Sequence, residues 1–233
     1  SKAILLTFIL LFTLFFYHDV ILSPNSYLFG SSGDGIKNYF TLATHIKENS
    51  LTQSTAMNYP YGEHFLYLDC HPALSLFLKA ISSIFPFVAD YSVGIINFMM
   101  LSSIGLTAWF LQLIFLHYKI RPIIAVLAGF SIAILAPQLY RITGHYALSY
   151  SFFLPLTWYL FIRFRTSPNP WKWSIVIGLS TLFWFFTHAY LGMIIFAFFM
   201  ISYMFEGLFY FKQKILSLSF WAHMFIQLIL PFL

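Results

Sequence analysis

YSVGIINFMMLSSIGLTAWFLQLIFL, residues 91–116, is a run of 26 residues without one Asp, Glu, Lys or Arg. As a helix it would rise about 39 Å at roughly 1.5 Å per residue, more than the hydrocarbon core of about 30 Å that a bilayer presents. Such a stretch predicts a transmembrane helix. Further apolar runs lie on both sides of it, at about Ala3–Leu22, Pro122–Leu139, Ala147–Ile162, Trp173–Phe186, Ala189–Phe209 and Ile215–Leu233. Composition agrees: 60% of the chain is hydrophobic, 8% is charged and the mean hydropathy is +0.81, a balance that excludes one water-soluble domain. The expectation is an all-α membrane protein, a polytopic bundle of about seven transmembrane helices filling residues 1–233. No small-x-small cleavage site follows the first run, which is therefore read as a span rather than a signal peptide. The chain opens at Ser1 and stops at Leu233 inside an apolar run, as expected of a piece of a longer protein.

The net charge of +5 comes from basic residues scattered singly or in pairs between the apolar runs. That pattern excludes a nucleic-acid surface and points to topology. Lys2, then Lys119 and Arg121, then Arg163, Arg165 and Lys172, then Lys212 and Lys214 fall in alternate connections. By the positive-inside rule that side is cytoplasmic, with the N-terminus inside. The expected location is the plasma (inner) membrane, with the bilayer as first partner. The opposite face receives a long first loop, about residues 23–90, the Arg141–Tyr146 turn and the Thr187–Tyr190 turn. Aromatic residues, 22% of the chain, suit lipid-facing and interfacial positions. The lone Cys70 reads as a small buried residue and says nothing of redox compartment.

Five of the seven acidic residues lie in the first loop. Ile36, Tyr39, Phe40, Ala43 and Ile46 recur at helical spacing with Lys37, Thr44, Lys47 and Glu48 between them, which predicts an amphipathic surface helix. A second is expected from Pro72 through Leu74, Leu78 and Ile81 to Phe85. Asp34, in Ser32-Gly33-Asp34-Gly35, has two readings: an N-cap carboxylate, or a group that accepts a proton. Glu63, His64, Asp69 and His71 follow, and Lys37 and Lys79 are expected to be exposed beside them. Carboxylate and imidazole together serve as a base or hold a divalent ion, and Asp34, Asp69 and His71 are the metal candidates. Arg141 and His145 stand in the second outer turn and His188 in the third. An arginine at a helix end either snorkels to the interface or binds phosphate, and a histidine there is usually structural.

Gly33-Asp34-Gly35-Ile36-Lys37-Asn38-Tyr39-Phe40, Asn58-Tyr59-Pro60-Tyr61-Gly62-Glu63, Arg141-Ile142-Thr143-Gly144-His145 and Leu154-Pro155-Leu156 together resemble the GT-C superfamily of integral-membrane glycosyltransferases. The resemblance implies an extracytoplasmic active face, a sugar donor linked to a polyprenyl phosphate, and an acidic catalytic residue shortly after the first helix, which Asp34 matches. It further implies inverting transfer, with Lys37, Asn38, Tyr59, Glu63, Asp69, His71, Arg141, His145 and His188 as substrate-binding candidates and a divalent cation as the candidate cofactor. Two other classes stay open. A transporter or flippase for a lipid-linked or anionic substrate would need broken helices and polar groups near the midplane, and in a non-enzymatic scaffold Asp34 would be only a cap.

Overall fold

The computed structural model describes residues 1–48, 50–55, 57–210 and 217–233. The expected cytoplasmic residues Lys212 and Lys214 and the start of the last span lie outside them. Among the described residues the secondary structure is helical apart from one pair of two-residue strands. Its helices are α1 (Lys2–Leu22), α2 (Gly33–Lys47), α3 (Pro72–Ser82), α4 (Ser92–His117), α5 (Pro122–Ile134), α6 (Phe153–Thr166), α7 (Pro170–Thr187), α8 (Ala189–Phe209) and α9 (Leu218–Met224). Among the described residues four helical stretches are long and apolar enough to cross a membrane: Lys2–Leu22, Pro86–His117, Pro122–Thr143 and Ala189–Phe209.

Three expected runs take shorter or less apolar forms. The fourth breaks at Tyr150–Phe152, and α6 has 14 residues, about 21 Å at roughly 1.5 Å per residue. The fifth, α7, has 18 residues and carries Lys172 in its first turn. The last passes from α9 into a π-helical turn, Phe225–Ile229, and then a 3-10 turn to Phe232.

The chain divides into two compact units, Ser1–Pro155 and Leu156–Leu233. In the first, α1, α4 and α5 pack on one another around Leu5, Val20, Leu101, Ile104, Val126 and Ala133. Phe8 and Phe12 of α1 meet Phe130 of α5 at ring distances of 5.6 and 5.9 Å. Most of α1 points outward, as a helix solvated by lipid would.

Between α1 and α4 the chain builds a polar layer. β1 (Gln53–Ser54) pairs antiparallel with β2 (Glu63–His64), Gln53 opposite His64. The α2 helix lies where its periodicity predicts, but turned. Its inner face is Asn38, Tyr39, Thr41, Leu42, His45 and Ile46, while Ile36 and Phe40 are exposed. Polar side chains go inward because each finds a partner there, which removes the cost of burying them.

In the second unit α7 packs on α8 and on the π-helical turn. Gln227, in that turn, donates to Ser174 Oγ at 3.0 Å, and His223 lies against Trp171 with ring centroids 4.2 Å apart.

Candidate active site

The site grows from the N-terminus of α2. Gly33, at φ +54, turns the chain into the helix in a backbone conformation that side chains rarely adopt. Ser32 is the N-cap residue, yet its side chain makes no capping bond. Asp34 stands in the first turn, where the helix dipole favours an anion. The capping role open to it on sequence grounds is not taken up: among the described residues its carboxylate accepts no hydrogen bond. Its side chain is 54% exposed, and His145 Nε2 approaches its Oδ2 at 3.7 Å.

Lys37, one turn further, gathers three carboxylates. Its Nζ donates to Asp69 Oδ2 at 2.8 Å, and that bond, with the nearby charges of Asp69, Asp34 and Glu63, raises its pKa against the opposing pull of burial. The lysine therefore stays charged, and its half-exposed pair with Asp69 leaves the ammonium accessible.

Beneath these groups lies a buried network that joins three distant segments. Asn38 Nδ2 donates to Asp34 O at 2.6 Å and to Gly144 O at 3.3 Å. Both partners are carbonyls, so the amide nitrogen is fixed by chemistry. Asn38 Oδ1 accepts from His71 Nε2 at 3.2 Å, and His71 Nδ1 lies 3.1 Å from the Tyr150 hydroxyl. Burial pushes the Tyr150 phenol up, keeping it a proton donor. Tyr146 anchors the same turn: Gly30 N–H donates to its hydroxyl at 3.0 Å. A Cβ on Gly30 would lie 2.5 Å from Thr143 O, so only glycine lets the α1–α2 linker pass this close to the turn.

The linker is held from the other side by Asn97 of α4. Its Nδ2 donates to Pro24 O at 2.8 Å and Tyr27 O at 2.7 Å, while its Oδ1 accepts from the Tyr39 hydroxyl. A second buried knot fixes the connection from α2 to β1. His45 Nε2 donates to Leu51 O at 3.0 Å, and its Nδ1 lies 2.6 Å from Ser75 Oγ. Lys79, expected to be exposed, is 9% exposed and donates to His45 O and Ser50 O; burial lowers the pKa of both His45 and Lys79. Cys70 is fully buried, and burial pushes its thiol up to about 11.

Of the residues singled out in the sequence, Asp34, Asn38, His71 and His145 are linked by direct contacts, Lys37 pairs with Asp69, and Asp34 and Glu63 reach Lys37 through their charges. Arg141 belongs to the same turn as His145, exposed and without a side-chain partner among the described residues. Tyr59 sits in the Asn58–Gly62 turn, 89% exposed and apart from the Asp34 contacts. His188 belongs to the second unit, where its Nδ1 accepts from Tyr190 N–H at 3.3 Å and caps α8. The metal candidates do not form a cradle. Asp69 is taken by Lys37 and both nitrogens of His71 are engaged, and no group of three His, Cys, Asp or Glu among the described residues converges on one point. Tyr150 and Asn97 were missed because a tyrosine or asparagine inside an apolar run carries no periodic signal of its partner, and Tyr146 was legible only as the end of the second outer turn.

A family model described as a domain of unknown function, DUF6311, matches residues 5–233. No curated protein and no solved structure matches the chain.

Proposed function

The chain belongs to the DUF6311 family, and we propose that it is a membrane glycosyltransferase that moves a sugar from a polyprenyl-phosphate donor to an acceptor at the extracytoplasmic face. The observation that carries this reading is the Asp34 carboxylate: half-exposed, at a helix N-terminus, without a hydrogen bond among the described residues, and next to His145 and Lys37. A carboxylate in the first turn is favoured by the helix dipole without spending an acceptor on the backbone, so its oxygens stay available to a substrate.

In the proposed reaction Asp34 takes the proton of an acceptor hydroxyl as its oxygen attacks the anomeric carbon. The bond from that carbon to the phosphate oxygen breaks, its electron pair leaves with the lipid phosphate, and the anomeric configuration inverts. Lys37 and Arg141 supply positive side chains and His145 an imidazole 3.7 Å from the carboxylate, suited to the charge growing on the leaving phosphate. Glu63 and Asp69 set the acidity of the rim through Lys37. No metal enters the scheme.

About seven spans with the N-terminus inside complete the proposal. It rests on the alternation of basic connections, which puts Asp34, Arg141, His145 and His188 on one face. The transporter reading has its own support in the π-helical turn at Phe225–Ile229, where Gln227 and Ser174 place polar groups inside an apolar unit. The deciding experiment is transfer from radiolabelled polyprenyl-phosphate sugars by membranes containing the full-length protein, wild type against Asp34→Asn at equal expression. Transfer by the wild type that the variant loses supports the reading. Equal transfer removes Asp34 from it, and absence of transfer with every donor favours transport.

A further inference from the structure

We propose that Asn38, His71 and Tyr150 are positioning residues: a buried lock that holds the Asp34 end of α2 against the His145 turn, and that does not itself touch substrate. The proposal rests on the reading of Asp34 as the reacting carboxylate. Asn38, His71 and Tyr150 are 3%, 1% and 1% exposed, which leaves none of them a face for a ligand. Their polar atoms point at one another and at two particular carbonyls.

Those carbonyls identify what is being positioned. Asn38 donates to Asp34 O and to Gly144 O with the two hydrogens of a single amide. The first acceptor belongs to the candidate base itself and the second immediately precedes His145. One planar group thus bridges the backbones of the two residues whose side chains approach to 3.7 Å. An amide has no freedom to make both bonds unless its plane is set, and His71 sets it by donating Nε2–H to Oδ1. In the neutral imidazole that leaves Nδ1 as the acceptor for the Tyr150 hydroxyl. The ring of Tyr150 also meets His71 edge-on at 5.7 Å, fixing its tilt.

The backbone at His71 adds an independent sign. It holds φ 50 and ψ 72, the left-handed region, at the N-cap of α3. Histidine, with asparagine and aspartate, is among the few non-glycine residues that enter this region. Here that backbone turn aims the imidazole inward at Asn38, whereas an ordinary N-cap serine or aspartate would spend its side chain on the helix.

The test reads position without relying on activity. In the full-length protein carrying Asp34→Cys and His145→Cys, dibromobimane fluoresces when it bridges the two thiols; the native Cys70 is buried and stays silent. Asn38→Ala and His71→Ala are expected to slow bridging roughly tenfold, within the range for groups sharing one hydrogen-bond network. His71→Gln, whose amide nitrogen can donate where Nε2 does, should restore it. Should Asn38→Ala lose its melting transition, Tyr150→Phe removes one hydroxyl and gives the same readout. Bridging at the wild-type rate in Asn38→Ala and His71→Ala, or in Tyr150→Phe where these do not fold, overturns the lock, as does failure of His71→Gln to restore it. With Asp34 and His145 native, the same Asn38 and His71 substitutions should lower kcat for transfer and leave KM unchanged. If bridging responds as expected while the wild type transfers no sugar from any donor, the lock stands and the transferase reading falls.

Discussion

Asp34 and Lys37 combine partial exposure with opposite charge, and each makes a separable prediction. Asp34→Asn keeps the shape of the side chain and removes its ability to take a proton. Transfer should fall by about two to four orders of magnitude, the usual contribution of a general base, with the melting temperature in detergent within a few degrees of wild type because the carboxylate accepts no structural hydrogen bond. Lys37→Met should behave differently. The half-exposed pair with Asp69 contributes at most about 1 kcal/mol to stability, so the fold should survive. The positive charge facing Asp34, Asp69 and Glu63 is lost, however, and a steady-state assay should show a higher KM for the anionic donor. These residues were legible in the sequence because charged groups in a polar loop advertise themselves. Asn38 and His71 were legible only as candidates. Whether a polar side chain faces a substrate or an interior depends on partners 33 to 106 positions away, and periodicity does not see that far.

At the scale of elements, α2 shows how far an amphipathic pattern carries. Two apolar stripes overlap in it, Ile36–Phe40–Ala43 and Tyr39–Leu42–Ile46, and the sequence does not choose between them. Tertiary partners choose: Asn97 takes Tyr39, Ser75 takes His45, and Ile36 and Phe40 are left outside. The His45–Lys79 knot should make the polar layer acid-sensitive. Burial holds the folded pKa of His45 below its unfolded value of about 6.5. The unfolded chain therefore binds a proton that the native site refuses, and stability is full above that pH and lost as the pH falls below it. Thermal melts in detergent from pH 7.5 to pH 5 should show a falling midpoint. His45→Gln, which cannot take up a proton, should flatten part of the fall; an unchanged slope would mean that His45 charges freely in the folded state.

For the whole molecule, hydropathy located the long helices well, since α1, α4, α5 and α8 all begin within a few residues of the apolar runs that announce them. It located breaks poorly. The run Ala147–Ile162 reads as one span, yet Tyr146, Ala147, Ser149 and Tyr150 are buried in a 3-10 turn and a bend that serve the polar layer, and the α-helix starts only at Phe153. Apolar composition cannot distinguish a residue buried against protein from one bathed in lipid. The chain is well suited to a measurement of its orientation and of the parity of its crossings. Its one native thiol is buried, with a pKa near 11, so it reacts slowly with maleimides and leaves a silent background. Introduced cysteines then report alone. Tyr61→Cys lies in the exposed Asn58–Gly62 turn, and Ser167→Cys in the connection between α6 and α7, beside Arg163, Arg165 and Lys172. With the N-terminus inside, a membrane-impermeant maleimide added to intact cells should label Tyr61→Cys and spare Ser167→Cys until the membrane is opened. The reverse pattern would put the basic connections outside and move Asp34 to the cytoplasm, where a donor already flipped outward would be out of reach. Labelling of both sites from outside would instead mean an even number of crossings between residues 61 and 167, contrary to the alternation of basic residues. The first result would require a different chemistry for the open carboxylate, and the second a different placement of the spans.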